Sequence, residues 1–179
     1  KFNKTKYDAP MVDLARLRIE SDLGAWAKRR LVPKLLLATQ TRVLEVVVDS
    51  EGVLLPSVPV ISIEVAGINL WHAAAALMSP PVTAWAAARY MGAALSTDAL
   101  KLSASQVHSL PAPQASQAWD AAAGLVESAH QARDAEEWHT ALVQAGTLMV
   151  QAYGLTESEE LMSWWTGRLP AWRKVEESR

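Results

Sequence analysis

The stretch PKLLLATQTRVLEVVVDSEGVLLPSVPVISIEV, residues 33–65, decides the fold. Its apolar runs at Leu35 to Leu37, Val43 to Val48 and Val58 to Val65 predict three strands. The second run is rich in β-branched residues, which suit a pleated surface, and the third alternates apolar and polar side chains, as in a strand with one solvated face. Asp49 to Gly52 predicts a hairpin loop, after which the chain would return as a further strand. We therefore predict a small antiparallel β-meander.

Helices follow the predicted strands, because the hydrophobic period changes from two to about 3.6 after Asn69, a predicted N-cap. Pro80-Pro81 should end this helix, and a second Ala-rich helix should stop at Gly92. Leu100 to Leu102 predicts a short strand, and Ser103 to Gln106 is a capping box for a short helix.

The last third of the chain has a helical pattern throughout. Apolar side chains at spacings of three and four predict an antiparallel helical hairpin over residues 116–153, with a capping box at Asp134 to Glu137 and a stop at Gly154. Thr156 to Glu159 predicts a capping box for one more short helix. The fold class is therefore α+β: the meander packs with Ala-rich helices and is followed by a C-terminal helical hairpin. The predicted divisions are a basic N-terminal segment and linker (1–29), an α+β core (30–113) and a helical region (114–179).

Composition and charge narrow the class of protein. Half of the 179 residues are apolar, which is enough for a core, and the absence of Cys excludes a disulfide framework and fits a reducing cytoplasm. The uncharged stretch between Glu64 and Arg89 contains polar residues and Pro80-Pro81, so it predicts buried helices and no membrane span. Because the chain begins with Lys1, we expect it to be part of a longer protein.

The charge is distributed unevenly along the chain. Residues 1–42 hold ten Lys and Arg against four Asp and Glu, residues 43–113 hold two against five, and residues 114–179 hold five against ten. A basic end on a chain of net charge −2 suggests contact with a polyanion, although a solvated basic face would give the same pattern.

The sequence lacks the patterns of a catalytic centre. No pair among the four His has metal-ligand spacing, there is no Gly-x-Ser-x-Gly elbow, and the eight Gly include no Gly-x-Gly. Ser79-Pro80-Pro81-Val82 resembles the loop with which amino-methyltransferases hold a flipped base, but Val82 cannot stack on a base. We therefore interpret these four residues as a helix junction and expect no enzymatic activity from this chain alone.

Several phrases, taken in order, resemble the C-terminal target-recognition (TaqI-like specificity) domain of adenine-N6 DNA methyltransferases and fused restriction–modification enzymes. The phrases are KLLLATQTR at 34–42, the acidic loop at 49–52, VPVISI at 58–63, the helical stretch at 70–90, LPAP at 110–113 and VQAYGLTE at 150–157. The chain departs from the family where Ala112 replaces the commoner Ile and where the usual Asn before Ser79 is missing.

The resemblance implies a domain that clamps double-stranded DNA and reads base edges in the major groove. An adjoining methyltransferase domain outside this chain would bind S-adenosylmethionine and flip the adenine, so no cofactor is expected here. The candidate phosphate contacts are Arg30, Lys34 and Arg42. The candidate contacts to base or sugar edges are Thr39, Gln40 and Thr41, with Thr97 and Lys101 as further DNA-binding candidates.

Two other functions stay open at this point. The Trp-rich helical region could be a protein-interaction module of a bacterial DNA-modification or phage-defence complex. Exposure of Trp164, Trp165 and Trp172 would favour that function, because aromatic side chains are enriched at interfaces. The remaining alternative, an enzyme in its own right, has no catalytic motif in its favour.

Overall fold

The computed structural model describes residues 12–20, 23–92, 98–156 and 158–171. In these ranges the helices are α1 Leu14–Glu20, α2 Leu23–Arg30, α3 Leu70–Met78, α4 Pro80–Tyr90, α5 Ala104–His108, α6 Gln117–Gln131, α7 Ala135–Ala152 and α8 Glu159–Thr166. The strands are β1 Lys34–Ala38, β2 Gln40–Thr41, β3 Val46–Asp49, β4 Val60–Ile63 and β5 Leu100–Lys101. The α+β class predicted from the sequence is confirmed.

The central element is β1, whose five residues are all buried. It pairs antiparallel with β3 on one edge and β4 on the other, so that Leu35 lies opposite both Val48 and Ile63. The antiparallel sheet is as predicted, but its order is β3–β1–β4. The first strand therefore lies in the middle, whereas strands of a meander would follow one another in sequence order.

The loop after β3 does not lead into a returning strand, so that part of the hairpin prediction was wrong. Residues 53–57 form no strand, and β3 pairs with β1 instead. The side chain of Asp49 accepts hydrogen bonds from the N–H groups of Val53 and Leu54, both at 3.0 Å, and these bonds hold the loop without a partner strand. Gly52 has a positive φ of 70°, as the loop prediction required.

The helix boundaries of the middle segment are confirmed. Asn69 caps α3 by accepting a hydrogen bond from the N–H of Trp71 at 2.7 Å. Ser79 caps both the end of α3 and the start of α4. Its hydroxyl donates a hydrogen bond to the carbonyl of Ala76 and accepts one from the N–H of Val82. Pro80 is the first residue of α4, a position at which a missing N–H has no cost. The Ser-Pro-Pro segment is thus a junction between two buried helices.

The helical hairpin is also present, formed by α6 and α7. Asp134 caps α7 with hydrogen bonds to two backbone N–H groups, and Gly154 follows its end with a φ of 70°. The prediction for the next cap was wrong: α8 begins at Glu159, with Ser158 as the N-cap residue in place of Thr156.

One hydrophobic cluster joins the sheet to the hairpin, since Leu35 of β1 packs with Ala74 of α3, Trp119 of α6 and Met149 of α7. The predicted boundary near residue 113 lies between α5 and α6, and the packing continues across it. None of the described helices is both long enough and apolar enough to cross a membrane.

Candidate nucleic-acid interface

A short two-stranded ribbon, made of β2 and β5, brings together two segments that the sequence had marked separately. The chain passes from β1 through a bend at Thr39 into β2, where Gln40 lies opposite Lys101 and Thr41 opposite Leu100. Residues directly opposite each other share a face of a ribbon. Gln40 and Lys101 are both exposed, whereas Leu100 belongs to the core, so the ribbon has an outer face that carries an amide and an ammonium group.

Two threonines attach the ribbon to the rest of the fold. The N–H and hydroxyl groups of Thr39 donate to the carbonyl of Pro59 at 3.2 and 2.9 Å, and its carbonyl accepts from the N–H of Leu102 at 3.0 Å. The hydroxyl of Thr41 donates to the carbonyl of Val43. Both hydroxyl protons are therefore used inside the chain, which leaves Gln40 as the predicted base-reading residue whose polar group is exposed.

Arg42 lies immediately after the ribbon, with its side chain 53% exposed. Its Nε atom is 3.0 Å from a carboxylate oxygen of Asp98, and this ion pair is itself exposed to solvent. Exposed pairs of this kind contribute little to stability, about 0–1 kcal/mol, so Arg42 can exchange its partner for a phosphate at little cost. Arg30, at the end of α2, is half-buried and donates to the hydroxyl of Ser62 on β4 at 3.4 Å.

Lys34 cannot be a phosphate contact in this structure, which corrects the expectation from the sequence. Its side chain is 0% exposed, and its ammonium group is 2.5 Å from the carboxylate of Asp49, its cross-strand neighbour. Burial alone would raise the pKa of Asp49. The hydrogen bonds from Lys34, Leu54 and Val53, together with the charge of Lys34, outweigh that effect and hold the pKa below its ordinary value. Lys34 is a structural residue of the sheet.

One cation beside the ribbon was not among the predicted residues. Arg89 is exposed near the end of α4, which adjoins the ribbon through a bridge between Met91 and Leu100. Its guanidinium group lies 3.9 Å from the ring centre of Trp85, and it donates to the carbonyl of the same residue. The spacing of four between Trp85 and Arg89 on a predicted helix was the signal that could have identified this stacked cation.

The remaining predicted residues are one DNA-binding candidate, Thr97, and the tryptophans on which the protein-interaction alternative depends. Thr97 and Trp172 lie outside the described residues. Trp165 is only 2% exposed, and Trp164 is half-buried with the guanidinium of Arg168 4.4 Å from its ring centre. Of the tryptophans that the protein-interaction alternative invoked, Trp165 is therefore an internal packing residue and Trp164 keeps part of its surface, so this alternative stays open. Within the described ranges, no group of three or more His, Asp or Glu could hold a metal ion.

Comparison with known proteins gives no relative from which a function could be transferred: no protein-family model, curated protein or solved structure matches this chain.

Proposed function

We propose that this chain is the DNA target-recognition domain of a site-specific adenine-N6 DNA methyltransferase or restriction–modification enzyme, and that it works in the cytoplasm. The observation that carries the proposal is the exposed pair of Gln40 and Lys101 on the ribbon. A two-stranded ribbon fits the major groove of B-DNA, which is about 12 Å wide. Both residues are among the candidates that the sequence resemblance implied, Gln40 for base or sugar edges and Lys101 as a further DNA-binding residue.

The two side chains have the chemistry needed for reading bases. A Gln amide can bind N6 and N7 of adenine, and a Lys ammonium can bind O6 and N7 of guanine. The ribbon is attached to the core by the backbone bonds of Thr39 and by the buried Leu100, so both side chains start from a fixed backbone. Fixed positions reduce the ordering cost of binding.

Phosphate contacts would come from the cations around the ribbon. Arg42 is more than half exposed, and the exposed Arg89, stacked on Trp85, belongs to α4, the helix whose end is bridged to β5. Such contacts orient a protein on the duplex without reading sequence. The methyl transfer itself would belong to an adjoining catalytic domain, which would bind S-adenosylmethionine, and this chain would hold the duplex against that domain.

The test is a fluorescence anisotropy titration of this chain with a labelled duplex of about two helical turns at several salt concentrations. The logarithm of the binding constant should fall linearly with the logarithm of the salt concentration, by about 0.9 per phosphate contacted. Arg42→Ala should weaken binding to all sequences and flatten this slope by about one contact.

The matched control is Arg133→Ala, which removes an exposed arginine at the turn between α6 and α7. It should leave both the affinity and the salt slope unchanged. No duplex binding at low salt, or equal losses in the Arg42 and Arg133 variants, would refute the proposal.

A further inference from the structure

Val58 is the most exposed of the large hydrophobic residues in the described ranges, at 92%. It lies in a tight turn that leads into β4, in which the N–H of Val60 donates to the carbonyl of Ser57 at 3.0 Å. Single exposed apolar residues are common on protein surfaces, so exposure alone has no functional meaning. The exposure of Val58 becomes informative because of where this turn lies relative to the ribbon.

Thr39 connects the turn to the ribbon. It donates hydrogen bonds to the carbonyl of Pro59 in the turn, and its carbonyl accepts one from the N–H of Leu102, the residue after β5. Val58 precedes Pro59 in the chain, and Gln40 follows Thr39. Consecutive Cα atoms are at most about 3.8 Å apart and those of a hydrogen-bonded pair are about 5.5 Å apart, so the Cα atoms of Val58 and Gln40 are at most roughly 13 Å apart. Base pairs stack about 3.4 Å apart, so the two side chains can reach base pairs within about four steps of each other.

The chemistry of the major groove offers one apolar group to such a side chain, the C5-methyl group of thymine. A protein interface is a poorer explanation, because charged residues are depleted at the core of such interfaces. Val58 is instead linked through the Pro59–Thr39 hydrogen bonds to the start of the ribbon, whose outer face carries the exposed amide of Gln40 and the exposed ammonium group of Lys101. A fully exposed aliphatic side chain at the entrance to a ribbon with an exposed amide and an exposed ammonium group suits a DNA groove.

We propose that Val58 contacts the C5-methyl group of a thymine close to the base pair read by Gln40, so that the recognised site contains an A·T pair at a fixed distance from that base pair. This inference rests on the proposed function and adds a specificity-determining residue to it.

The experiment selects tight-binding duplexes from a randomised pool with this chain and then replaces each thymine in turn by deoxyuridine, which lacks the methyl group. At one position the replacement should weaken binding about fourfold, equivalent to about 0.8 kcal/mol for a buried methyl group. Val58→Ala should bind the thymine and deoxyuridine duplexes equally. Val53→Ala, which alters a valine that is 62% exposed on the loop after β3, is the control and should keep the preference.

The outcomes separate the two proposals. Salt-dependent duplex binding with no thymine preference at any position would overturn the role of Val58 alone, as would a preference that persists in Val58→Ala. Absence of duplex binding in the unaltered chain would overturn the proposed function and this inference with it.

Discussion

The hydroxyl group of Tyr153 donates a hydrogen bond to the carbonyl of Pro111, 2.8 Å away, across 42 residues of sequence. Tyr153 lies at the end of α7, and Pro111 belongs to the Leu-Pro-Ala-Pro phrase that follows α5. Burial raises the pKa of the Tyr153 hydroxyl, so it remains a donor at any physiological pH. Two of the phrases that resemble the target-recognition family are therefore in direct contact, and Tyr153 also packs against two of the core clusters.

Tyr153→Phe should lower the free energy of unfolding by about 1 kcal/mol, because the carbonyl of Pro111 loses its donor while the ring is retained. Urea denaturation followed by circular dichroism measures the change. Tyr90→Phe is the control, since its hydroxyl makes a longer contact of 3.4 Å with the exposed Ser109, and its effect should stay within about 0.5 kcal/mol. Equal stabilities of the wild type and Tyr153→Phe would show that the hydrogen bond contributes nothing.

Lys34→Met should destabilise the fold by about 3–5 kcal/mol, because it leaves the buried carboxylate of Asp49 without its counter-ion. The double variant Lys34→Met/Asp49→Asn should lose less than the sum of the two single changes, since the two side chains interact directly. Arg42→Met breaks an exposed ion pair and should cost at most about 1 kcal/mol. Additive effects of the Lys34 and Asp49 changes in a double-mutant cycle would contradict the pairing.

Asp49 should also make stability depend on pH in acid. Its pKa is lower in the folded chain than the ordinary value of 3.8, so folding favours the ionised form. The resulting stabilisation is fully present above pH 3.8 and is lost as the pH falls through the lower, folded-state pKa. Denaturation midpoints measured below pH 5 should fall less steeply in Asp49→Asn than in the wild type. Identical slopes would argue against an ionised Asp49 in the fold.

Gly52→Ala should destabilise the chain by about 1–3 kcal/mol. The backbone at Gly52 has a positive φ, and an added Cβ atom would lie 2.5 Å from the carbonyl carbon of Val32. Gly124→Ala, in α6, is the opposite control, because nothing lies within 4 Å of its added Cβ. That change should stabilise the helix by about 0.5–1 kcal/mol, and thermal melting distinguishes the two directions.

Gln40→Ala should reduce the preference for the selected site by about 1–3 kcal/mol while leaving the salt slope of binding unchanged, because a neutral amide reads bases and releases no counterions. Competition between selected and scrambled duplexes measures the preference. A uniform loss of affinity for both duplexes, or a changed slope, would assign Gln40 to backbone contact instead.

Local sequence determined much of this protein. The caps at Asn69 and Asp134, the helix junction at Ser79 to Val82 and the turn at Gly52 were predictable, because each depends on side chains and backbone angles within a few residues. The buried central strand was predictable too, since a short apolar run between turn signals has few other solutions. The prediction of Thr156 as a cap was wrong: α8 begins two residues later than predicted, after Ser158, whose side chain makes no capping hydrogen bond.

Tertiary structure decided which segments became neighbours. Hydrophobic patterns identify strands but do not specify their partners. The predicted meander order therefore differs from the observed one, in which β1 lies between β3 and β4, and the pairing of Gln40 with Lys101 was not predicted. The burial of Lys34 also depends on which strands pair. A lysine beside an apolar run predicts a surface cation by default, and only the antiparallel pairing that places Asp49 opposite makes burial of its charge affordable.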